Sequence, residues 1–340
     1  MGAKEMQWPL LPKMSWAHLV HPAGPAAGSA PTVTAGAGVT VTSLPELPAP
    51  ADNLDTALRS LSATHIDVPA NWRGTAPITI TGDAANSATV LVTVGAGAQV
   101  HLRETWRGAN AGQLHLLVLL QLAAGAQVRY DTLDLQSGDV AIYRRAELAD
   151  GAELTWHGAV FGDCRGGLQH AVNLVGTGSR AKANLAVLSG NAAKLVATTT
   201  VTNYGRHTQG LINQHGVLTD HAQLVLNGIG AIVRDAAGSD AQQENRVLML
   251  SDHALGEANP LLLIDENDVT AGHAASVAAV DAKQLYYLMS RGLSRAVAVR
   301  LVVRGFLLSL LPDDLPAADV QQVHQAIAAQ LDGGKIFDGK

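Results

Sequence analysis

The chain has 340 residues, of which 47% are hydrophobic, 15% charged and only 4% aromatic, and its formal net charge is −6. That length exceeds an ordinary single domain, so one large domain with appendages, or two domains, is expected. The acidic balance argues against a nucleic-acid-coating surface or a polybasic membrane anchor, and a single cysteine, Cys164, excludes an intramolecular disulfide framework and an all-cysteine metal site within one chain.

No apolar run is long enough to cross a bilayer; the best stretch, Leu114 to Val128, is interrupted by His115, Gln121 and Gln127. Met1 to Glu5 lacks a secretion pattern, and Met6 stands where a myristoylation signal needs Ser or Thr. A soluble, cytoplasmic protein is therefore expected. Glycine makes up about a tenth of the chain, against roughly 7% on average, and Ala, Val, Leu and Thr dominate. Such a composition suits stacked strands joined by glycine-bearing turns around a narrow interior.

Residues 1–21, with Trp8 and Trp16, form a weakly patterned or helical lead-in. Residues 22–51 are rich in Pro, Ala and Gly and read as an extended connector, with Val39, Val41 and Leu44 fit to pair as a strand. Asp52 then caps a helix carrying Leu54, Ala57, Leu58 and Leu61 on one face, which ends before Ile66-Asp67-Val68-Pro69.

From Ile78 to about Val269 the pattern is one of short strands. A turn-like signature recurs at Gly97-Ala98-Gln99-Val100, Gly125-Ala126-Gln127-Val128, Gly151-Ala152-Glu153-Leu154 and Gly178-Ser179-Arg180-Ala181, at intervals of 28, 26 and 27 residues. His221-Ala222-Gln223-Leu224 follows after 43, which reads as two shorter units. Repetition at this period without helical periodicity predicts a β-helix solenoid and argues against the hexapeptide-type left-handed β-helix. Helices return after Val280: Asp281 with Gln284 opens one that stops at Gly292, Ser294 caps a second through Val303, and a third runs from Leu315 to Gly333. The layout is an N-terminal segment (1–77), a β-helix core (78–280) and a C-terminal helical domain (281–340).

The stretch from Asn259 to Val277, with Pro260-Leu261-Leu262-Leu263-Ile264 and His273, runs into Gln284-Leu285-Tyr286-Tyr287-Leu288-Met289-Ser290-Arg291-Gly292 and then Arg304-Gly305-Phe306. It resembles the SufB/SufD family of iron–sulfur cluster assembly proteins, in its SufD branch. The resemblance is clear over about fifty residues and looser over the strand region and residues 52–69. It implies a right-handed parallel β-helix between helical segments, and a SUF-system scaffold subunit without catalysis of its own. It implies further that such a chain pairs with a SufB-like subunit through the β-helices and docks a SufC-like ATPase through the C-terminal helices. An isolated chain is expected to pair with itself in the same way. The cargo is a transient iron–sulfur cluster shared with the partner, and a flavin carried by the complex is left open.

The family position most often given a cluster role falls on His273, read as lying on the turn after the Pro-containing stretch. Some relatives carry a cysteine two residues earlier, where this chain has Ala271. Clusters are held mainly by thiolates, with imidazole at some irons. A chain with one cysteine must therefore borrow ligands across an interface. His273 is a candidate ligand there, or else a residue that packs in the turn. Tyr286, Tyr287 and Arg291 are candidates for the ATPase-docking surface, or for ordinary helix packing.

Cys164 stands beside Arg165, a cation able to lower its pKa, but an inert solenoid thiol is the expected reading. Asp265, Glu266 and Asp268, like Glu257, suit a solvated turn better than a cation site. His207, His215 and His221 are expected to be structural. No P-loop, Gly-x-Ser-x-Gly or His-Glu-x-x-His motif occurs. The competing reading is a β-helix polysaccharide lyase or hydrolase, which would need paired carboxylates on an exposed sheet.

Overall fold

A computed structural model describes residues 30–333 apart from 46, 48, 61 and 84–86. The lead-in with Trp8 and Trp16, the helix-face residue Leu61 and the last seven residues lie outside the described residues.

Among the described residues sixteen strands form one continuous hydrogen-bonded sheet wound into a parallel β-solenoid with two faces. After β1 (Thr32–Thr34) and β2 (Thr40–Leu44), a short helix α1 (Asn53–Leu58) precedes β3 (Ala63–Val68), β4 (Ile78–Asp83) and β5 (Ser87–Val94). Two long strands, β6 (Gln99–Leu122) and β7 (Gln127–Leu148), run through both faces. β6 bends at an irregularity between Gly108 and Gly112. Shorter strands then alternate between faces: β8 (Glu153–Phe161), β9 (Cys164–Leu174), β10 (Arg180–Ser189), β11 (Lys194–Asn203), β12 (Gln209–Leu218), β13 (Gln223–Ile232), β14 (Ser239–Met249), β15 (Leu255–Ile264) and β16 (Val269–Ala279). One face stacks β4, β6, β7, β8, β10, β12, β14 and β16; the other stacks β3, β5, β6, β7, β9, β11, β13 and β15.

The glycines of the recurring signature explain its period. Gly97, Gly125, Gly151 and Gly178 have φ between +62° and +68°, a left-handed conformation that costs glycine nothing. Each donates its amide to a carbonyl of the next coil's corner, as in Gly125 to Asp150 (2.8 Å). The following coil uses His207 at this position, with φ 55°, and its amide bonds Ala237. The 43-residue interval is therefore not two short units. It is one full coil, to His207, plus a crossing to the opposite corner, where His221 bonds Asn191 and opens β13. The strand pattern also runs ten residues beyond Val269, because β16 keeps register with β14 from Val269 through Ala279.

Alternate residues of each strand face the lumen, and they are mostly Ile, Val, Leu and Ala, packed in a single core that extends from Ile66 to Ala254. Asp52 caps α1 by accepting the Asp55 amide, as its position predicts. Leu58 of α1 packs on the outside of the second face with Leu91, Leu117, Leu119 and Tyr143.

Three helices follow the solenoid: α2 (Ala282–Ser290), α3 (Arg295–Leu308) and α4 (Ala317–Gly333), the first two capped by Asp281 and Ser294. Val299, Val303 and Leu307 of α3 and Val323, Ile327 and Leu331 of α4 bury against Leu133, Ala159, Ala186, Leu188 and Val217 on the outside of the first face.

The two ends of the solenoid differ. At the first coil, β1 pairs antiparallel with β4 and β2 antiparallel with β3, which covers the exposed strand edges. Trp72 closes over this end, donating its Nε1–H to Ala37 O (3.0 Å). At the last coil β15 and β16 each have one neighbour, and their outer edges meet no other described strand. Among the described residues no helix is long and apolar enough to cross a membrane.

Candidate functional site at the open end of the solenoid

His273 lies within strand β16, not on a turn. Gly272, which suggests a turn in sequence, simply continues the strand opposite Gln242. Gln243, the register partner of His273 on β14, donates its amide Nε2–H across the lumen to Leu261 O on β15 (2.7 Å). Gln243 therefore faces inward, and in an in-register parallel ladder His273 faces the same way. The imidazole is exposed, with no described strand stacked beyond β16.

The same rung presents Ala271, Ala275 and Val277 from β16, with Ala258, Leu262 and Ile264 from β15. Val277 is 42% exposed and Ile264 38%. Pro260 is tolerated in β15 because an edge strand has no outer ladder to complete. The result is a mainly apolar cross-section with one imidazole near its centre. Among the described residues no group of three or more His, Cys, Asp or Glu side chains could hold a metal ion. His273 can offer one nitrogen, and the described residues around it do not complete a three-ligand set.

Asp265, Glu266 and Asp268 lie at the turn between β15 and β16, whereas Glu257, expected in a turn, lies within β15. Glu266 accepts the backbone amides of Asp235 and Asn267 (3.0 and 2.8 Å), and these bonds hold its carboxyl below the usual range. This is a turn-closing role at an exposed corner.

Cys164 is fully buried at the start of β9 and donates its thiol to Gln136 O (3.2 Å). Burial first, then the Asp134 and Asp163 carboxylates, pushes its pKa up to about 12. Arg165 points away and pairs with Asp139 (3.0 Å), so it does not activate the thiol. The inert reading holds.

The lumen holds a charged cluster that sequence periodicity does not reveal. Arg144, fully buried, donates to Glu104 (2.6 Å) and Asp134 (2.7 Å). Glu104 also accepts from Trp106 Nε1 (2.8 Å) and from the Tyr130 hydroxyl. Burial opposes the Arg144 charge, but the Asp134 and Glu104 carboxylates hold it protonated. His170 stacks on Trp156 (centroids 4.1 Å apart); burial, and then Arg144, pushes its pKa well down. The available signal is charged residues at inward positions of a strand ladder: Glu104 stands between Ile80 and Thr132, Asp134 between Trp106 and Val160, and Arg144 between Val118 and His170. These carboxylates are locked away from solvent, unlike those a lyase would need.

The other histidines are dispersed. His207 sits at a corner, His215 stacks on Phe306 (4.2 Å) and donates Nδ1–H to its carbonyl (2.7 Å), and His221 stacks on His253 at the opposite corner. Tyr286 and Tyr287 of α2 are 76% and 57% exposed, and the Arg291 guanidinium lies over the Tyr287 ring at 5.2 Å. Met289, Val297 and Leu301 are also exposed on α2 and α3. The structure brings Tyr287 and Arg291 together and places His273 elsewhere, on the terminal rung.

The fold defines a class: a parallel β-solenoid with antiparallel strands over its first coil and two single-neighbour strands, β15 and β16, at its last. Residues 78–306 match the family model described as "SUF system FeS cluster assembly, SufBD core domain", and the chain belongs to that family. It is 41% identical over 200 residues to the iron–sulfur cluster assembly protein SufD of Bacillus subtilis, covering 58% of this chain and 46% of that one. A SufBD family assembly protein of Synechocystis is 28% identical over 220 residues (64% of this chain, 45% of the relative). SufD of Escherichia coli is 29% identical over 132 residues (38% and 31%). The chain is thus SufD-like, and its matches span less than half the length of these relatives.

Proposed function

We propose that the chain is the non-catalytic, SufD-like subunit of a cytoplasmic SUF scaffold, and that its open terminal rung is where a SufB-like subunit joins. The observation that supports this most is that rung: unpaired β15 and β16 edges, an apolar cross-section, and His273 at its centre. A partner rung stacked on it satisfies the edge amides and carbonyls, buries Val277 and Ile264, and brings ligands to the imidazole. The cluster is cargo completed between two chains, and His273 supplies one neutral nitrogen to one iron. The exposed Tyr286, Tyr287 and Arg291 surface is assigned to the SufC-like ATPase. A flavin is not assigned to this chain.

The test is co-expression with SufB-like and SufC-like partners, followed by optical absorbance and iron and sulfide analysis. His273→Ala is expected to leave complex formation intact and cut cluster content severalfold. Wild-type cluster content in that variant overturns the ligand role. Removal of everything after Val280 is expected to abolish co-purification of the ATPase, and its persistence overturns the docking assignment.

A further inference from the structure

Two successive corners of the solenoid, between β12 and β13 and between β14 and β15, repeat one pattern: Thr219-Asp220-His221-Ala222 and Ser251-Asp252-His253-Ala254. Backbone bonds give both the same shape, since Ala222 donates its amide to Thr219 O (3.1 Å) and Ala254 to Ser251 O (3.3 Å). Leu255 donates to Ala222 O (2.9 Å), which stacks one corner on the other. The aspartates and the histidines therefore stand in two adjacent columns. One coil earlier the same places hold Asn191 and Ala192, and that corner closes alike, through Ala193 and Gly190 O (3.1 Å). An imidazole is not needed to make the turn.

The His221 and His253 rings lie face to face, with centroids 4.9 Å apart and planes 20° apart, and both side chains are exposed. No described residue hydrogen-bonds either ring. The Asp220 carboxylate accepts the Asn191 amide (3.1 Å), and Asp252 is exposed, so two negative charges stand beside the pair.

Neutral imidazole suits late first-row divalent ions. Zinc–nitrogen bonds are about 2.0–2.1 Å long, so two of them span about 4 Å. A small splay of the stacked rings, which exposed side chains make freely, brings one nitrogen of each onto a shared ion. Among the described residues no third His, Cys, Asp or Glu joins the pair, and water takes the remaining positions, as in open sites.

We propose that His221 and His253 form a surface site for a divalent transition-metal ion of the zinc class, chelated by the two imidazoles and completed by water. The neighbouring aspartates attract the ion without ligating it. The site is independent of the role given to His273.

The test is a titration of the full chain with zinc alone, by calorimetry at about pH 7.5, where an ordinary imidazole is neutral, with the histidine ring signals followed by nuclear magnetic resonance. It is run in the wild type and in His273→Ala, which removes the other open imidazole from the count. Both are expected to bind zinc reversibly, with the His221 and His253 signals moving together. His221→Ala and His253→Ala are each expected to weaken binding about tenfold or more, because one imidazole alone has no chelate, and the double variant is expected to be no weaker than either. Ala192 shows that alanine fits this column. His253→Phe, which keeps a stacked ring without a ligand, is expected to retain the melting temperature and lose zinc.

Zinc binding at wild-type strength in the double variant overturns the proposal, as does a wild type whose two ring signals ignore zinc. A loss from only one of the two alanine substitutions overturns the chelate. Should an alanine variant fail to fold, the phenylalanine substitution at the same position takes its place, and zinc binding retained there overturns the proposal equally.

Discussion

Arg144 carries its charge in the middle of the lumen, where desolvation is worth several kcal/mol unless partners repay it. Two carboxylates do so, and the Trp106 indole and Tyr130 hydroxyl complete the Glu104 shell. Arg144→Met would leave both acids uncompensated. A loss of about 3–5 kcal/mol is expected on the scale of broken buried pairs, read as a drop in the denaturant midpoint.

His170 gives the cluster a pH signature. Burial and the nearby guanidinium push its folded pKa well below the ordinary 6.5, so the folded chain holds the ring neutral. Stability is then full above about pH 6.5 and falls as pH drops further, because the unfolded chain gains a proton that the buried ring refuses. His115 and His215 shift in the same direction, also through burial first. The melting temperature is expected to fall between pH 7.5 and 5.5, and His170→Phe should shrink that fall without removing it. An unchanged pH dependence in a folded His170→Phe protein would count against this account.

At the scale of elements, the helices dock by apolar packing reinforced with polar ties. His157 donates Nδ1–H to Leu310 O (2.8 Å), Arg129 bonds Asp314 (2.8 Å), and Gln330 bonds Asp163 (2.8 Å). Leu307 is fully buried at the centre. Leu307→Ala is expected to cost about 2–5 kcal/mol. Hydrogen exchange should rise in α2 to α4 while the strand amides remain protected; equal loss of protection in β8 to β13 would mean the two packings are not separable.

The helices were legible because their caps are local: Asp281 accepts the Lys283 amide (2.9 Å) and Ser294 the Val297 amide. The coils were legible because a left-handed corner selects glycine. The signal faded at His207, where a histidine took that conformation, and the spacing then misled. Gly272 misled in the other direction, suggesting a turn where strand pairing with β14 prevails. Neither the charged lumen nor the register of Gln243 with His273 was legible, since both depend on which inward rows meet across coils.

For the whole molecule, the proposed partner interface puts the exposed rung in control of association. Val277→Lys places a charge on that cross-section, where burial is expensive. Monomer folding is expected to persist, and self-pairing and pairing with a SufB-like subunit to be lost, as read by sedimentation. Undiminished pairing would move the interface elsewhere.

The antiparallel strands over the first coil have a bearing on how large an assembly can become. A ladder with two bare tips would template chain upon chain without limit and risk fibres. With only the three- and five-residue strands β1 and β2 at one tip, the proposed head-to-head union buries the long β15 and β16 edges and leaves short, antiparallel ones as the described ladder ends, which would stop growth at two.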